Sequence, residues 1–293
     1  MDAVAPPCVA QRTVTILENV AVARDTYRLR LDDPAMARDI LPGQFLMVRA
    51  GAGNEPLLGR PFALYDVARD DSGAPTAVDV VYLVVGRGTG ALAGRKSGDR
   101  LPVWGPLGNG FGPAPDPPGP VVFVAGGIGQ TPFLALGRWW LGLARYGGRP
   151  CGPGRAAEAA LLYGVRTAAL AAGVDDFRAA GLSVELATDD GSAGYHGFVT
   201  DLLARRLGRG DRPARVVACG PPAMLAAVAR LAARHEVRCD VSLENHMACG
   251  FGVCFSCVAP VRQPDGSMDL RRVCVEGPIF SAADVDWSGQ ASH

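Results

Sequence analysis

Long apolar runs are absent from this chain. Nothing reaches the ~18 consecutive apolar residues of a membrane helix, so no membrane span is expected. A charge excess is absent too: 29 Lys and Arg balance 29 Asp and Glu. That argues against nucleic acid or an anionic membrane as a main partner. The opening MDAVAPPCVAQRT has no basic n-region and no apolar h-region, so no signal peptide and a cytoplasmic location are expected. Histidine is scarce, and His196, His235, His246 and His293 lack ligand-like spacing. No Ser/His/Asp set stands out, so no side chain is assigned a catalytic role. No internal repeat is seen. What remains is ordinary for a globular enzyme, with 48% hydrophobic and 20% charged residues. A chain of 293 residues suggests two or three domains.

Cysteine, by contrast, is plentiful. Eight Cys without an export signal point to a reducing compartment and to cofactor ligation. Cys249, Cys254, Cys257 and Cys274 follow C-x4-C-x2-C with a distant fourth member, the arrangement that holds a [2Fe–2S] cluster in plant-type ferredoxins. Three thiolates must converge from one loop, and Gly250 and Gly252 permit the tight bends this needs. By analogy with those ferredoxins, Cys249 and Cys254 share one iron, and Cys257 and Cys274 the other. A structural zinc site is the alternative, although such sites usually show two C-x2-C pairs and only one is present. Cys8, Cys151, Cys219 and Cys239 are scattered and read mostly as ordinary small residues.

The first part, to about Phe111, reads as short strands (13–17, 26–31, 44–49, 78–84) between Pro/Gly turns, the pattern of an antiparallel β-barrel or sandwich. GPAPDPPGP at 112–120 reads as a stiff linker. Beyond it, apolar runs alternate with Ala/Leu-rich helical stretches, which implies βα units and a parallel sheet. The stretch 142–157 is rich in Gly and Pro and is expected to be a surface loop. The last dozen residues read as a tail or docking segment.

VVFVAGGIGQTPFLALG is a strand, a glycine turn and a helix. Gly126, Gly127 and Gly129 make the turn, Thr131 is expected to be the N-cap and Pro132 the first helical residue. A helix start of this kind attracts a pyrophosphate. The spacing is GGxGxT, not GxGxxG, so a purely structural turn stays open. ARVVACGPPAM brings a second strand to Cys219, Gly220 and Pro221, with a helix directly after. Two glycine turns at the carboxyl ends of parallel strands suit a dinucleotide. Cys219 reads either as a group near the nicotinamide or as a small residue closing a strand. Asp189 and Asp190 end a third strand. An acid there accepts from an adenosine ribose hydroxyl and repels a 2′-phosphate, favouring NAD over NADP; a solvated turn is the alternative. In the first part, Arg60 is placed to clamp a phosphate and Phe62 to lie against a flat ring. Gly86, Gly88 and Thr89 offer N–H groups and a hydroxyl to a pyrophosphate. Each also reads as a turn with a surface Arg.

Together, RPFA, GGIGQTP, CGP and SLENHMACGFGVCFSCVAPV…RRVCVEGPIF resemble the ferredoxin-reductase superfamily. Within it the chain is most similar to the electron-transfer subunit of class B dihydroorotate dehydrogenase, over nearly its whole length. TDDGSAGYHGFVTDLL and GPLGNGF are similar to family signatures as well. The resemblance implies a multi-domain protein: an antiparallel FAD-binding β-barrel at 10–112, an α/β parallel-sheet NAD-binding domain at 120–240 and a small [2Fe–2S] domain at 241–285. It implies FAD, NAD(H) and a partner subunit carrying FMN, expected as a heterotetramer of two of each in pyrimidine biosynthesis. Arg60, Pro61 and Phe62 then line the FAD, and Gly88 and Thr89 meet its phosphates. Ala63 stands where Ser or Thr is common, so a backbone N–H takes the place of a hydroxyl. Gly126 to Gly129 and Cys219 to Pro221 border the nicotinamide cofactor. Electrons are expected to run from FMN through the cluster and FAD to NAD+. An NAD(P)H–ferredoxin reductase or sulfhydrogenase-type subunit is the alternative, and a non-enzymatic redox sensor a third reading.

Overall fold

The computed structural model describes residues 9–51, 57–149 and 155–288. Cys8, Cys151 and His293 lie outside them. Six strands close a barrel in the order β1-β2-β5-β4-β3-β6. They are β1 (Ala10–Ala23), β2 (Thr26–Asp32), β3 (Phe45–Val48), β4 (Arg60–Arg69), β5 (Pro75–Leu83) and β6 (Arg100–Leu107). Alternation sets the barrel interior: Val14 and Ile16 of β1, with Leu29 and Leu31 of β2, point inward and are buried. The expected strands all form, each within three residues of its expected start. Two short helices cover the barrel, α1 (Pro34–Asp39) and α2 (Arg87–Ala93). Asp33 caps α1, its carboxylate accepting from the Met36 N–H at 2.9 Å.

The second body is a seven-stranded sheet in the order β10-β9-β8-β7-β11-β12-β15. Its strands are β7 (Val121–Gly126), β8 (Ala159–Val165), β9 (Ser183–Thr188), β10 (Tyr195–His196), β11 (Arg215–Cys219), β12 (Cys239–Ser242) and β15 (Ile279–Ser281). All neighbours pair in parallel except β12 and β15. Helices α3 (Phe133–Trp140), α4 (Val174–Ala179), α5 (Val199–Gly208) and α6 (Pro222–Arg234) join the strands. The chain winds outward from β7 to β10, then returns to the other side of β7 with β11. The crevice at the carboxyl ends of β7 and β11 is therefore the topological switch point, where open α/β sheets bind ligands.

Between β12 and β15 lies the cysteine loop, followed by the hairpin β13 (Val258–Arg262) and β14 (Met268–Arg272). Its return as β15 fastens it to the sheet. Asn109, in the loop after β6, fastens it to the barrel: its amide donates to the carbonyls of Glu276 (3.0 Å) and Ile279 (2.9 Å). The stretch after β15 docks as well, with the Trp287 indole N–H on the Ala282 carbonyl at 2.9 Å.

The barrel and the sheet meet through a buried polar cluster. Asp66 on β4 accepts from the Tyr146 hydroxyl (2.5 Å) and the Arg138 guanidinium (2.5 Å), while the Tyr65 hydroxyl donates to Asp176 of α4 (2.6 Å). The segment read as a surface loop is thus partly structural, because Tyr146 is buried in the joint. Residues 150–154 lie outside the described residues. Among the described residues, no helix is long and apolar enough to cross a membrane.

Candidate redox and nucleotide site

The cysteine loop bends where its glycines stand, with φ of +80° at Gly250 and +89° at Gly252. Cys257 and Cys274 are buried, Cys249 is half-buried and Cys254 is exposed. Cys274 lies in the turn after β14, held near Cys257 because Val273 donates its N–H to the Cys257 carbonyl at 2.9 Å. The largest thiol–thiol interactions pair Cys249 with Cys254 and Cys257 with Cys274, and Cys249 acts on Cys274 as well. Among the described residues, no group of three or more His, Cys, Asp and Glu could hold a single metal ion. Four cysteines in the C-x4-C-x2-C order with a distant fourth match the ligand set of a two-iron centre, each iron taking two protein ligands.

The pairs differ in environment. The Ser256 hydroxyl and N–H, then Cys249, draw the Cys254 thiol down to about 6. Burial pushes the Cys274 thiol up to about 12, with Cys257 beside it. The more acidic thiol is the one facing solvent. Arg272 secures the loop: it donates to the Gly252 carbonyl at 3.2 Å, lies 5.0 Å from the centre of the Phe255 ring and pairs with Glu276 at 2.5 Å. Sequence reading passed over Arg272, although it lies two residues before Cys274.

This loop rests on the barrel. A Cβ on Gly250 would stand 2.7 Å from Met47 and 3.1 Å from Leu107. Met47 of β3 is opposite Pro61 of β4 on one side and Trp104 of β6 on the other. The loop therefore lies against β3, the neighbour of the strand that carries Arg60, Pro61, Phe62 and Ala63.

On that strand the structure brings Arg60 against Gly88, where a Cβ would sit 3.3 Å from the guanidinium Nε. The Phe62 ring stands 5.6 Å from that of Tyr82, which stacks on Tyr27 at 5.7 Å. Ala63 pairs with Phe45 in the ladder. The Thr89 hydroxyl accepts from the N–H groups of Val85 (2.9 Å) and Gly86 (3.2 Å), so it braces the turn that starts α2.

The sheet's switch point opens into a cleft of about 510 Å³, within the usual size for a small-molecule site. Gly126, Gly127 and Pro221 line it, as do Asp189, Arg166 and Phe198, while Thr26 and Leu83 of the barrel close one wall. Gly126 must lack a side chain because a Cβ would meet Pro221 at 2.7 Å. Gly129 faces the other way, against the Cys219 carbonyl, so its role is close packing of two turns. Cys219 is buried, and burial holds its thiol well above the ordinary range. Gly220 (φ +151°) supplies the bend into Pro221, the cap position of α6, which begins at Pro222.

Two expectations need correction. Thr131 is not the N-cap: the chain runs through a 3-10 turn at Gly127–Gln130, Thr131 is buried with helical dihedrals, and α3 begins at Phe133. Pro132 accordingly occupies the cap position, not the first helical one. The glycines let the chain coil before the helix starts, which periodicity cannot register. The two acids also separate. Asp189 lines the cleft, whereas the Asp190 carboxylate accepts from the Ser192 hydroxyl (2.6 Å) and N–H (3.0 Å), bonds that lower its pKa.

The iron–sulfur cluster-binding domain of dihydroorotate dehydrogenase B matches residues 244–286. The electron-transfer subunit of NAD+-dependent dihydroorotate dehydrogenase B from Desulforamulus reducens is 34% identical over 272 residues, 93% of this chain and 97% of that one. The same subunit from Shouchella clausii is 35% identical over 278 residues, covering 94% and 98%. This chain belongs to that family. Among solved structures, the NADH-dependent reduced ferredoxin–NADP oxidoreductase superposes with a TM-score of 0.76 at 27% identity, covering 99% of this chain and 93% of that one.

For a dihydroorotate dehydrogenase electron-transfer subunit, the cysteine loop, the barrel and the cleft adjoin one another. The cysteine loop rests on β3 and β6 of the barrel, next to β4, and Thr26 and Leu83 carry the barrel into the cleft. Arg166, Phe198 and Trp104 went unread in the sequence. Arg166 and Phe198 had a usable signal, since each directly follows a strand or precedes a helix at the sheet's carboxyl edge. Trp104 had none.

Proposed function

We propose that this chain passes electrons between an FMN-bearing catalytic subunit and NAD+, through a [2Fe–2S] cluster held by Cys249, Cys254, Cys257 and Cys274 and an FAD seated on Arg60–Ala63. When bound, the cluster supplies one-electron transfer and the FAD supplies two-electron exchange with the nicotinamide. The chain's own residues set the geometry. Arg60 and the turn at Gly86–Thr89 offer a guanidinium and backbone N–H groups to the FAD phosphates. Gly126 and Gly127 let a pyrophosphate approach the backbone, and Asp189 accepts from the adenosine ribose. The observation that carries the reading is the packing of the cysteine loop on the strand beside β4.

The partner is expected to dock over the loop. Phe251 (51% exposed), Val253 (72%) and Phe255 (58%) surround the exposed Cys254 and leave an apolar face outward. Two copies of each subunit, in the cytoplasm, complete the proposal. The complex, reconstituted anaerobically, should oxidise NADH only when orotate is supplied. Oxidation with ferredoxin but never with orotate would defeat it. A second reading has one observation in its favour, the whole-chain likeness to the NADH-dependent reduced ferredoxin–NADP oxidoreductase. A clear preference for NADPH would promote it.

A further inference from the structure

Trp104 touches both ends of the internal relay. Its indole N–H donates to the carbonyl of Cys249 at 2.8 Å, directly on the first cysteine of the loop. The other edge of the same ring packs on Gly59, the residue before Arg60: a Cβ on Gly59 would stand 2.5 Å from the ring's Cη2. Trp104 is fixed in β6, opposite Met47, which itself underlies Gly250. One rigid side chain thus joins the cysteine loop to the start of the flavin-type strand by a hydrogen bond at one end and van der Waals contact at the other.

We propose that Trp104 is a positioning residue for electron exchange between the cluster and the flavin, setting how closely the Cys249 side of the loop approaches the strand at Gly59–Arg60. The inference rests on the proposed cofactor seats. The physical reason is economy of freedom. The loop's own bends come from Gly250 and Gly252, which stiffen nothing. A planar ring has only two rotatable bonds, and both are fixed here by packing and by the N–H. Glycine at 59 is explained by the same contact, because any larger residue displaces the ring. The electron count is simple: NADH gives two electrons to FAD as hydride, and the cluster accepts them one at a time. Two transfers restore the oxidised flavin, whose protons leave to solvent, and the electrons pass on to the partner.

The test follows both absorbances in stopped flow on the complex, after anaerobic mixing with NADH. Trp104→Phe keeps the ring against Gly59 and removes the N–H. Gly59→Ala keeps the N–H and pushes the ring away. In both, flavin reduction should keep its wild-type rate while the following bleaching of the iron–sulfur bands slows by roughly tenfold, the scale expected for a sub-ångström to ångström misplacement. The EPR signal of the dithionite-reduced cluster should persist at full intensity. Bleaching at the wild-type rate in variants with full iron and FAD content overturns the proposal, as does equal slowing of both phases, which would mark a general structural role. If Trp104→Phe fails to load its cofactors, Gly59→Ala decides alone. A wild-type protein whose flavin is reduced but whose cluster never bleaches would instead refute the relay on which the inference stands.

Discussion

The cysteine loop and the nucleotide cleft are built in opposite ways. The loop draws three of its four sulfurs from nine consecutive residues, 249–257, and its bends from glycines within that span. The cleft draws its lining from β7, β8, the turn after β9, Phe198 and the start of α5, α6 and two residues of the barrel. A local site is robust to how the rest of the chain is arranged but fragile to loss of any ligand. A distributed site tolerates single losses, yet depends on how its supporting bodies are held together.

The most severe way to press that contrast is to remove one ligand. Cys254→Ser should abolish the iron–sulfur absorbance and cut electron delivery to the partner by more than ~100-fold, since losing even an outer-shell partner of a metal site costs 10–100-fold. NADH should still reduce the FAD at a near-normal rate. Anaerobic absorbance spectra and single-turnover flavin reduction check both halves. If flavin reduction disappears together with the cluster, the loop is not the separable unit described here.

The same contrast explains what could be read in the sequence. Cysteine spacing is a one-dimensional record of a local cage, so all four proposed ligands were legible without a fold. The barrel strands were legible through alternation, and the βα units through apolar runs at helix-sized intervals. What stayed hidden was contact at long range. Trp104 meets Cys249 across 145 positions, and Tyr146 meets Asp66 across 80; no periodicity encodes either. The pair at 189 and 190 was legible as an acidic turn, but two adjacent carboxylates look alike until the Ser192 hydroxyl selects one of them. Thr131 misled for a related reason: a good capping residue type counts for little when the preceding glycines have already turned the chain.

A smaller effect is expected within the cleft, where charge decides the cofactor. Arg166 and Asp189 face the same space on two cross-linked turns: Asp190 donates its N–H to the Arg166 carbonyl at 3.2 Å, and Ala168 donates to the Ser192 hydroxyl at 2.8 Å. Among the described residues the Arg166 guanidinium has no hydrogen-bond or ion-pair partner. The Asp189 carboxylate repels a 2′-phosphate; with an amide in its place, Arg166 is free to pair with that phosphate. Asp189→Asn should raise kcat/KM for NADPH by about 10–100-fold, the size of one charge-assisted hydrogen bond. Adding Arg166→Gln should erase the gain. Calorimetric titration with AMP and 2′-phospho-AMP reads the same preference without turnover. A gain that survives the double change would take Arg166 out of the account.

The mildest test loosens the joint on which the distributed site depends. Tyr146 and Arg138 both reach Asp66, and burial and the neighbouring carboxylate hold the Tyr146 hydroxyl well above its ordinary pKa, so it remains a donor across the working pH range. Tyr146→Phe removes one donor and leaves Arg138 paired with the carboxylate. Stability should fall by about 1–3 kcal/mol, as expected when a buried acceptor loses a partner. The consequence should be unequal across the molecule. The KM for NADH should rise a few-fold, because Thr26 and Leu83 of the barrel form part of the cleft wall. The iron–sulfur spectrum should not change, because the cysteine loop is fastened separately, through Asn109, β15 and Trp104. Denaturant unfolding and steady-state kinetics on the same preparation measure both effects. An altered cluster spectrum with unchanged NADH kinetics would reverse the assignment of which site is local and which is shared.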